Sequence, residues 1–287
     1  MELLHLTDDV GAHEDAVIVL SLDGWTDAGQ AGTTAAAQLR EQLPTRRIGW
    51  FDPDGLFDYR DRRPILTIDE GELGSPSWPE LAVYRLDPDH GPTMFMITGA
   101  EPDLSWQALC RDVVKLAEKA GASRYVGLGS VPAPAPHTRP VRVIATGSDV
   151  ATIEAIGRPH ERVVVPASCQ VVVETALRDA GLETVGLWAR VPHYVGGEYP
   201  EGAQAILDRF RVHLGVALDL TRLDEEAKQQ RSRLDVAAQG SDDVRAHIAQ
   251  LEEFYDADAG AVRLDGPLPT GDEIAADFER FLREQDD

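Results

Sequence analysis

The sequence predicts an α/β fold in which helices cover both faces of a mostly parallel sheet, giving three α/β/α layers. Short apolar runs typical of buried strands alternate with longer runs of helical periodicity from the N-terminus to about residue 218. This alternation favours parallel strands, because they need crossover connections and helices supply them. Of the 287 residues 43% are hydrophobic and 27% are charged, a composition typical of a globular domain with a sizeable core.

The first part of the chain is predicted to contain several strands and one helix. The strand-like runs lie at 16–20, 47–51, 64–68, 81–86 and 93–98. Of these, 64–68 and 81–86 are candidates for an antiparallel pair. Asp27 followed by Gln30 forms a capping-box pattern, which predicts that a helix begins there and continues to about Gln42.

A helix over 104–120 is the clearest element of the sequence. Leu109, Val113 and Leu116 recur on one helical face, and Gly121 stands where a glycine commonly ends a helix. Beyond it, strands are predicted at 125–129, 141–145, 162–165 and 184–189, and helices from 149, over 168–180 and from 200. The alternation that favours a parallel sheet therefore continues through this part of the chain.

The strand pattern then stops, and the sequence predicts two units. These are an α/β/α core domain, residues 1–218, and an acidic helical extension, residues 219–287. Apolar residues at helical spacing predict helices near 220–234 and 244–255, and a capping box that starts at Thr270 predicts a third. The extension holds 19 acidic and 8 basic residues, a net charge of −11 out of −23 for the whole chain.

The strong acidic charge excludes several classes of partner. A net charge of −23 repels the phosphates of nucleic acids and of anionic lipid surfaces, so we expect no nucleic-acid and no membrane partner. The longest apolar runs are far shorter than the ~20 residues that span a bilayer, and the N-terminus has no basic segment of the kind that opens a secretory signal. Two cysteines, Cys110 and Cys169, fit the reducing cytoplasm. No spacing of ligand residues indicates a metal site or a bound cofactor.

Polar residues follow two of the predicted strands, at the edge where open α/β sheets bind ligands. Trp25 and Asp27 lie in a glycine-rich turn that leads into a helix. A helix N-terminus can hold an anion, whereas Asp27 would repel one and is suited to cap the helix. Glu101 and Asp103 follow a later strand. They would serve as a general acid and base or as a metal pair, or Asp103 would cap the next helix.

A proline-rich stretch after another strand carries Ser130, His137 and Arg139. Prolines at this spacing stiffen a loop, which would present His137 and Arg139 to a substrate or to a partner. A serine-hydrolase triad would need Ser130, a histidine such as His137 or His193, and an acid such as Glu101 to meet in space. Catalysis is therefore one interpretation of these residues, and a rigid partner contact is the other.

Arg190, His193 and Tyr194 stand at the end of the last predicted strand. Arginine and tyrosine are frequent at protein interfaces. The same three side chains would also suit a phosphate or a nucleobase, so both interpretations stay open.

Four ordered motifs together resemble the bacterial branch of the PAC2 family, which is named after a eukaryotic proteasome assembly chaperone. They are GWTDAG at 24–29, ITGAEPD at 97–103, GLGSVPAPAPHTRP at 127–140 and GLWARVPHY at 186–194. The resemblance covers about residues 1–260. It implies a phosphorylase/hydrolase-like α/β/α core with added C-terminal helices and, for the named members, a role in proteasome-related assembly.

Three hypotheses of function follow. In the first, the chain is a non-enzymatic protein-binding or assembly factor that forms a homo-oligomer, taken to be a trimer, with proteasome-related proteins as partners. In the second, it is a small-molecule phosphorylase or hydrolase with a pocket at the carboxyl ends of the strands. In the third, it is an oligomeric scaffold whose subunit contacts these loops seal. The catalytic candidates are Glu101, Ser130, His137 and His193. The ligand- or partner-binding candidates are Trp25, Asp27, Glu101, Asp103, Arg139, Arg190 and Tyr194.

Overall fold

A computed structural model describes residues 2–159 and 162–257 of the chain. Its strands are β1 Leu4–Leu6, β2 Ala16–Asp23, β3 Thr45–Phe51, β4 Ile68–Asp69, β5 Glu72–Leu73, β6 Leu81–Leu86, β7 Met94–Ala100, β8 Ala122–Ala133, β9 Val143–Gly147 and β10 Glu183–Pro192. Its helices are α1 Ala31–Gln42, α2 Pro53–Leu56, α3 Trp106–Ala120, α4 Val150–Ile156, α5 Cys169–Asp179, α6 Pro200–Leu214, α7 Thr221–Gln239 and α8 Asp242–Ala257. The helix predicted from Thr270 lies outside the described residues. Within those residues, no helix combines the length and the apolar character needed to cross a bilayer.

Eight of the described strands form one mixed sheet with the order β1-β3-β6-β7-β2-β8-β10-β9. The central strands β7, β2, β8 and β10 run parallel to one another. At one edge β6, β3 and β1 pair antiparallel in turn, and at the other edge β9 pairs antiparallel with β10. The predicted α/β fold is therefore confirmed.

Helices cover both faces of the sheet. The pair α1 and α6 packs on one face, and the pair α3 and α5 packs on the other. Along β2, Val17 and Val19 belong to the core under α1 and α6, while Ile18 and Leu20 belong to the core under α3 and α5. A strand buried on both faces is typical of a parallel sheet inside a layered domain. The three predicted layers are thus present.

The described part of the helical extension packs against the core. α7 contacts α6, and α8 contacts α7. Leu223 and Ala227 of α7 are buried, as are Ile248 and Leu251 of α8. The division of the chain into residues 1–218 and 219–287 stays a prediction from charge and strand pattern.

Helix ends follow their local sequence signals. α3 ends at Gly121, which has a φ of +67° and donates its N–H to the last carbonyls of the helix. A Cβ at this position would lie 2.8 Å from the carbonyl oxygen of His13, so glycine is required there. α5 begins after Ser168, whose hydroxyl accepts the N–H of Val171. The predicted helices over 104–120 and 168–180 are confirmed.

The expected pairing of 64–68 with 81–86 is wrong. β6 pairs with β3 and β7, whereas Ile68–Asp69 pairs with Glu72–Leu73 in a separate hairpin. The turn residues Glu70 and Gly71 have φ values of +46° and +94°, as a two-residue hairpin turn requires. Local propensity identifies residues that suit a strand, but it does not identify the partner strand.

The strand predicted at 162–165 is also wrong. These valine-rich residues belong to no strand among the described residues, and Val164 is 87% exposed. β-branched residues favour strands, but a strand needs a neighbour. The place beside β10 is already taken by β9.

Candidate functional site

The parallel strands bring the predicted site residues to one edge of the sheet. β2, β7, β8 and β10 end at Asp23, Ala100, Ala133 and Pro192. Because the carboxyl ends of parallel strands share an edge, the loops that follow them lie side by side. Their contacts divide the site residues among a clamp around Glu101, a cap around Asp27, and a proline-rich loop that holds α7 and α8.

The Glu101 clamp joins two strands to a helix. The Oε1 atom of Glu101 accepts the N–H of Cys169 at 2.8 Å, and its Oε2 atom accepts the N–H of Trp25 at 3.1 Å. Cys169 opens α5, where the positive end of the helix dipole favours a carboxylate. Gly24 has a φ of +140°, and a Cβ there would lie 3.1 Å from Glu101. The clamp therefore fixes the backbone beneath Trp25, whose side chain is 58% exposed.

Asp103 supports the loop that follows α2. Its Oδ2 atom accepts the N–H of Asp58 at 2.9 Å, and its own N–H donates to the carbonyl of Leu56 at 3.0 Å. α3 begins after Ser105 with no side-chain cap, so the interpretation of Asp103 as a helix cap is wrong. In the described part of the chain, no group of three or more His, Cys, Asp or Glu residues is placed to hold a metal ion. The acid–base interpretation of Asp103 stays a prediction.

Asp27 caps α1 across an intervening turn. Its Oδ1 atom accepts the N–H groups of Gly32 at 2.8 Å and of Thr33 at 3.2 Å, and Oδ2 accepts the Thr33 hydroxyl at 2.5 Å. The 3-10 turn Ala28–Gln30 separates Asp27 from the helix. Because of this turn, Asp27 accepts the N–H groups of Gly32 and Thr33, whereas a capping box would use the N–H of Gln30. Burial raises the pKa of Asp27, while the bonds from Thr33 and Gly32 lower it by a smaller amount.

Ser130 lies buried beside this cap. Its hydroxyl donates to the carbonyl of Ala28 at 2.7 Å, and its N–H donates to the carbonyl of Thr26 at 2.9 Å. A hydroxyl has one proton, so in this arrangement the Ser130 proton is not directed at a histidine. Glu101 is bonded to backbone amides elsewhere. The bonds therefore favour a structural role for Ser130.

His137 is buried between β10 and the extension. Its backbone N–H donates to the hydroxyl of Tyr194 at 2.7 Å, and its Nδ1 atom lies 2.7 Å from the same oxygen. Its Nε2 atom lies 3.2 Å from Oδ1 of Asp235, on α7. Both ring nitrogens of His137 are therefore engaged, Nδ1 by the Tyr194 hydroxyl and Nε2 by Asp235. Burial raises the pKa of Tyr194 to about 12, so this hydroxyl stays protonated.

Arg139 binds the acidic helix α8. Its Nε and Nη2 atoms donate to the two carboxylate oxygens of Asp256 at 2.9 and 2.7 Å, and Nη1 donates to Glu252 at 3.2 Å. Thr138 also donates its hydroxyl proton to Glu252. The hydrogen bonds that Arg139 donates to Asp256 are the main cause that raises the pKa of Arg139. A two-point guanidinium–carboxylate pair of this kind fixes orientation as well as position.

Arg142 and Tyr255 extend this contact. The guanidinium of Arg142 lies 3.8 Å from the centre of the Tyr255 ring and donates to the Tyr255 carbonyl at 2.8 Å. The Tyr255 hydroxyl donates to the carbonyl of Pro140 at 2.8 Å. We call residues 133–142 the docking loop, because they hold α7 and α8 mainly through polar contacts.

Arg190 lies where β10 meets the docking loop. It is buried, and its backbone N–H donates to the carbonyl of Arg142 at 2.9 Å. Together with Arg142, Phe254 and Tyr255 it lines a crevice under α8. The last turn of α8 thus covers Arg190, which the sequence analysis predicted to bind a phosphate or a protein partner.

His193 follows Arg190 by three residues and faces the extension. Its N–H donates to the carbonyl of Ala133 at 3.1 Å. Its ring lies edge-on to Tyr194 and to His247 of α8, with centroids 5.5 Å apart in both pairs. The structure therefore places His137, His193 and Tyr194 in one aromatic cluster beneath the extension.

A polar cluster buried beneath α5 was not predicted from the sequence. Glu174 accepts the hydroxyl proton of Thr146 at 3.1 Å, and the Thr146 oxygen accepts the indole N–H of Trp188 at 2.9 Å. Burial raises the pKa of Glu174 to about 7. The Tyr125 hydroxyl and the Gln170 amide are buried nearby, and within the described residues neither has a hydrogen-bond partner.

Glycines in the strands are the sequence signal for this cluster. A Cβ at Gly186 would lie 2.6 Å from Oε2 of Glu174, and a Cβ at Gly127 would lie 2.8 Å from the Tyr125 hydroxyl. Glycine inside a strand often marks a close approach by another group. Here the polar side chains lie directly on the glycine backbone.

Replacing Arg139 with Ala is expected to loosen α8 while the core stays folded. The change removes the bonds to Asp256 and Glu252, which join α8 to the docking loop. Amide hydrogen exchange in α8 should become faster, and exchange in α3 should stay as in the parent. Arg178→Ala is the matched control, since Arg178 lies on α5 and forms an ion pair with its exposed neighbour Asp179. Unchanged exchange in α8 of the Arg139 variant would contradict the docking contact.

Known structures share this fold over most of the chain. A Mycobacterium tuberculosis protein of unknown function, Rv2714, is 34% identical, with 89% of this chain and 91% of that chain covered and a TM-score of 0.82. A protein of unknown function from Corynebacterium glutamicum is 28% identical, with 91% and 100% covered and a TM-score of 0.83. The Mycobacterium tuberculosis proteasome-assembly chaperone homologue Rv2125 is 27% identical, with 81% and 99% covered and a TM-score of 0.76. No curated protein sequence matches this chain. A sequence model of the PAC2 family matches residues 21–238.

Proposed function

The chain belongs to the PAC2 family, and from this premise we propose that it is a non-enzymatic protein-binding factor that assists assembly in the cytoplasm. We propose further that it acts as a homo-oligomer, with a trimer as the expected form, and that proteasome subunits are its first candidate partners. Both cysteines are free, which fits a reducing compartment. A similar structure, 27% identical, is that of a proteasome-assembly chaperone homologue, and this likeness supports the choice of partner.

The observation that carries the proposal is the exposed tryptophan at the carboxyl ends of the strands. Trp25 is 58% exposed, although Glu101 holds its backbone N–H. Leu104, three residues after Glu101, is exposed as well. Tryptophan is enriched among the residues that dominate binding at protein interfaces. A large apolar side chain on a fixed backbone loses little conformational freedom on binding.

The β4–β5 hairpin supports self-association. Ile65, Ile68, Leu73 and Trp78 on and beside the hairpin are all exposed. Large exposed apolar patches mark interaction surfaces, and these four exposed side chains lie on or next to one hairpin. A two-stranded hairpin is also marginally stable in water unless it packs against something else. A second copy of the chain would supply that packing.

The phosphorylase or hydrolase hypothesis receives less support from the contacts. The proton of Ser130 goes to a backbone carbonyl, and Glu101 accepts two backbone N–H groups. His137 is bonded on both ring nitrogens. These candidates therefore stabilise the loops, and a role as structural supports for a binding surface explains each of them.

The variant Trp25→Ala is expected to weaken partner binding by about 30-fold, because a tryptophan that dominates an interface contributes about 2 kcal/mol. The measurement is surface plasmon resonance, with the full chain immobilised and purified α- and β-subunits of a mycobacterial 20S proteasome in solution. Trp50→Ala is the control, since Trp50 is partly exposed on β3, which β6 and β7 separate from β2, and it stacks on His5. Equal affinities of the parent and the Trp25 variant would show that Trp25 is not part of the binding surface. No binding by the parent would show that these proteasome subunits are not its partners.

A further inference from the structure

We infer that residues 162–165 of one copy of this chain add a strand to the β4–β5 hairpin of a second copy. The inference rests on the homo-oligomer proposed above and names the contact that would build it. It joins two segments that pair with no strand of the eight-stranded sheet among the described residues. Strand addition to an open sheet edge is a common way for proteins to associate.

The first segment is the valine run at 162–165. Val163, Val164 and Val165 are all exposed, and within the described residues the segment makes no backbone hydrogen bond. β-branched residues are the residues that sheets favour, and burying them would remove apolar surface from water. Pro166 follows and would end such a strand, because proline has no N–H to donate.

The second segment is the first arm of the hairpin. Inside the hairpin, Ile65 and Ser77 exchange backbone bonds of 2.9 and 2.7 Å, and the N–H of Gly74 donates to Thr67 at 2.9 Å. Along an antiparallel strand, alternate residues point their backbone groups inward and outward. Leu66, which lies between Ile65 and Thr67, therefore turns its N–H and carbonyl to the open side.

The second arm is less suited to accept a strand. It carries Pro76 and Pro79, neither of which has an N–H. The first arm has no proline between Ile65 and Asp69. The open edge that a partner strand would use is thus residues 65–69.

Charge and side-chain chemistry of the two segments are complementary. Ile65, Leu66 and Ile68 are exposed on the hairpin arm, where they would meet the valines. The hairpin tip carries Asp69, Glu70 and Glu72, whereas the valine run begins with Arg162. Opposite charges across an interface fix register and orientation.

The proposed strand addition joins two copies, because residues 162–165 and the hairpin, both within the described residues, do not pair with each other within one chain. Within one chain the described strands and bridges pair the hairpin only with itself, and the valine run pairs with nothing. Two different surfaces of identical chains make a head-to-tail contact, and such contacts close into rings when the rotation allows it. This geometry is consistent with the proposed trimer.

The first test is a disulfide between copies of the full chain. Leu66→Cys and Val164→Cys are made as separate variants, mixed in equal amounts and oxidised. We expect a covalent dimer in the mixture that is several-fold more abundant than in either variant alone. A mixture of Leu66→Cys with Val212→Cys is the control, because Val212 is 80% exposed on α6. Equal cross-linking in both mixtures would overturn the inference.

The second test separates this contact from the homo-oligomer itself. Val164→Pro removes one N–H, and we expect the mass from light scattering to fall from a multiple of 31.3 kDa to 31.3 kDa. Val164→Thr keeps the N–H and the β-branch, so it should stay oligomeric. An oligomeric parent whose mass the proline leaves unchanged, with no specific cross-link, overturns the strand addition alone. A monomeric parent overturns the proposed homo-oligomer and the inference with it.

Discussion

The variant Glu174→Gln is expected to raise the free energy of unfolding by about 3 kcal/mol at pH 8 and to change it little near pH 4. Burial beneath α5 raises the pKa of Glu174 from 4.5 to about 7. The folded protein therefore keeps a proton that the unfolded chain releases. As a result, the stability of the parent falls as the pH rises from 4.5 to about 7, and the loss is complete above that range. Glutamine has a similar shape and no charge, so the variant lacks this loss.

The measurement is urea denaturation of the parent and the variant at several pH values between 4 and 8. The difference in free energy should grow with pH, since only the parent loses a proton. Glu118→Gln is the control, because Glu118 is exposed on α3 and its difference should stay small. Trp188 is hydrogen-bonded to Thr146, which is in turn bonded to Glu174. Its fluorescence therefore provides a local probe of the Glu174 environment. A difference between parent and variant that is the same at every pH would show that Glu174 does not titrate in this way.

The variant Asp27→Ala is expected to lower the free energy of unfolding by about 3 kcal/mol. It removes the acceptor for the N–H groups of Gly32 and Thr33 and for the Thr33 hydroxyl. Asp27 is buried, so water cannot fully replace these bonds. α1 packs on α6 and contributes to the core, and a weakened N-terminus of this helix therefore affects the whole fold.

Thermal denaturation with Asp149→Ala as a matched variant tests this expectation. Asp149 makes the same kinds of bond, to the N–H of Thr152 at 2.8 Å and to its hydroxyl at 2.6 Å. Its helix α4 has no buried residue, so its loss should be clearly smaller. Equal destabilisation by the two changes would mean that burial of the Asp27 cap is unimportant.

Much of the helical structure was predictable because the signals of a helix are local. The apolar face of α3, the glycine that ends it and the serine that caps α5 all lie within a few residues of their helices. The partners of the strands are set by distant parts of the chain. For that reason 64–68 pairs within a hairpin instead of with 81–86, and the strand-like run at 162–165 stays unpaired in the structure.

The candidate site was predictable as an edge of the sheet and unpredictable in its contacts. Strand order placed the polar loops together, as expected for parallel strands. The net charge of the extension did not show that Asp235, Glu252 and Asp256 bind the docking loop. Glu174 was missed because a glutamate on an amphipathic helix usually faces water. Only the glycines beneath it signal that a polar side chain is buried there.

The prolines of the docking loop also act on the unfolded chain. Pro134, Pro136 and Pro140 lie within residues 133–142, and each fixes its own φ angle whether or not the protein is folded. The unfolded ensemble therefore has fewer conformations to lose in this segment, and ordering the loop costs less entropy than ordering a proline-free loop of equal length. Docking the acidic extension onto this loop therefore costs less conformational entropy.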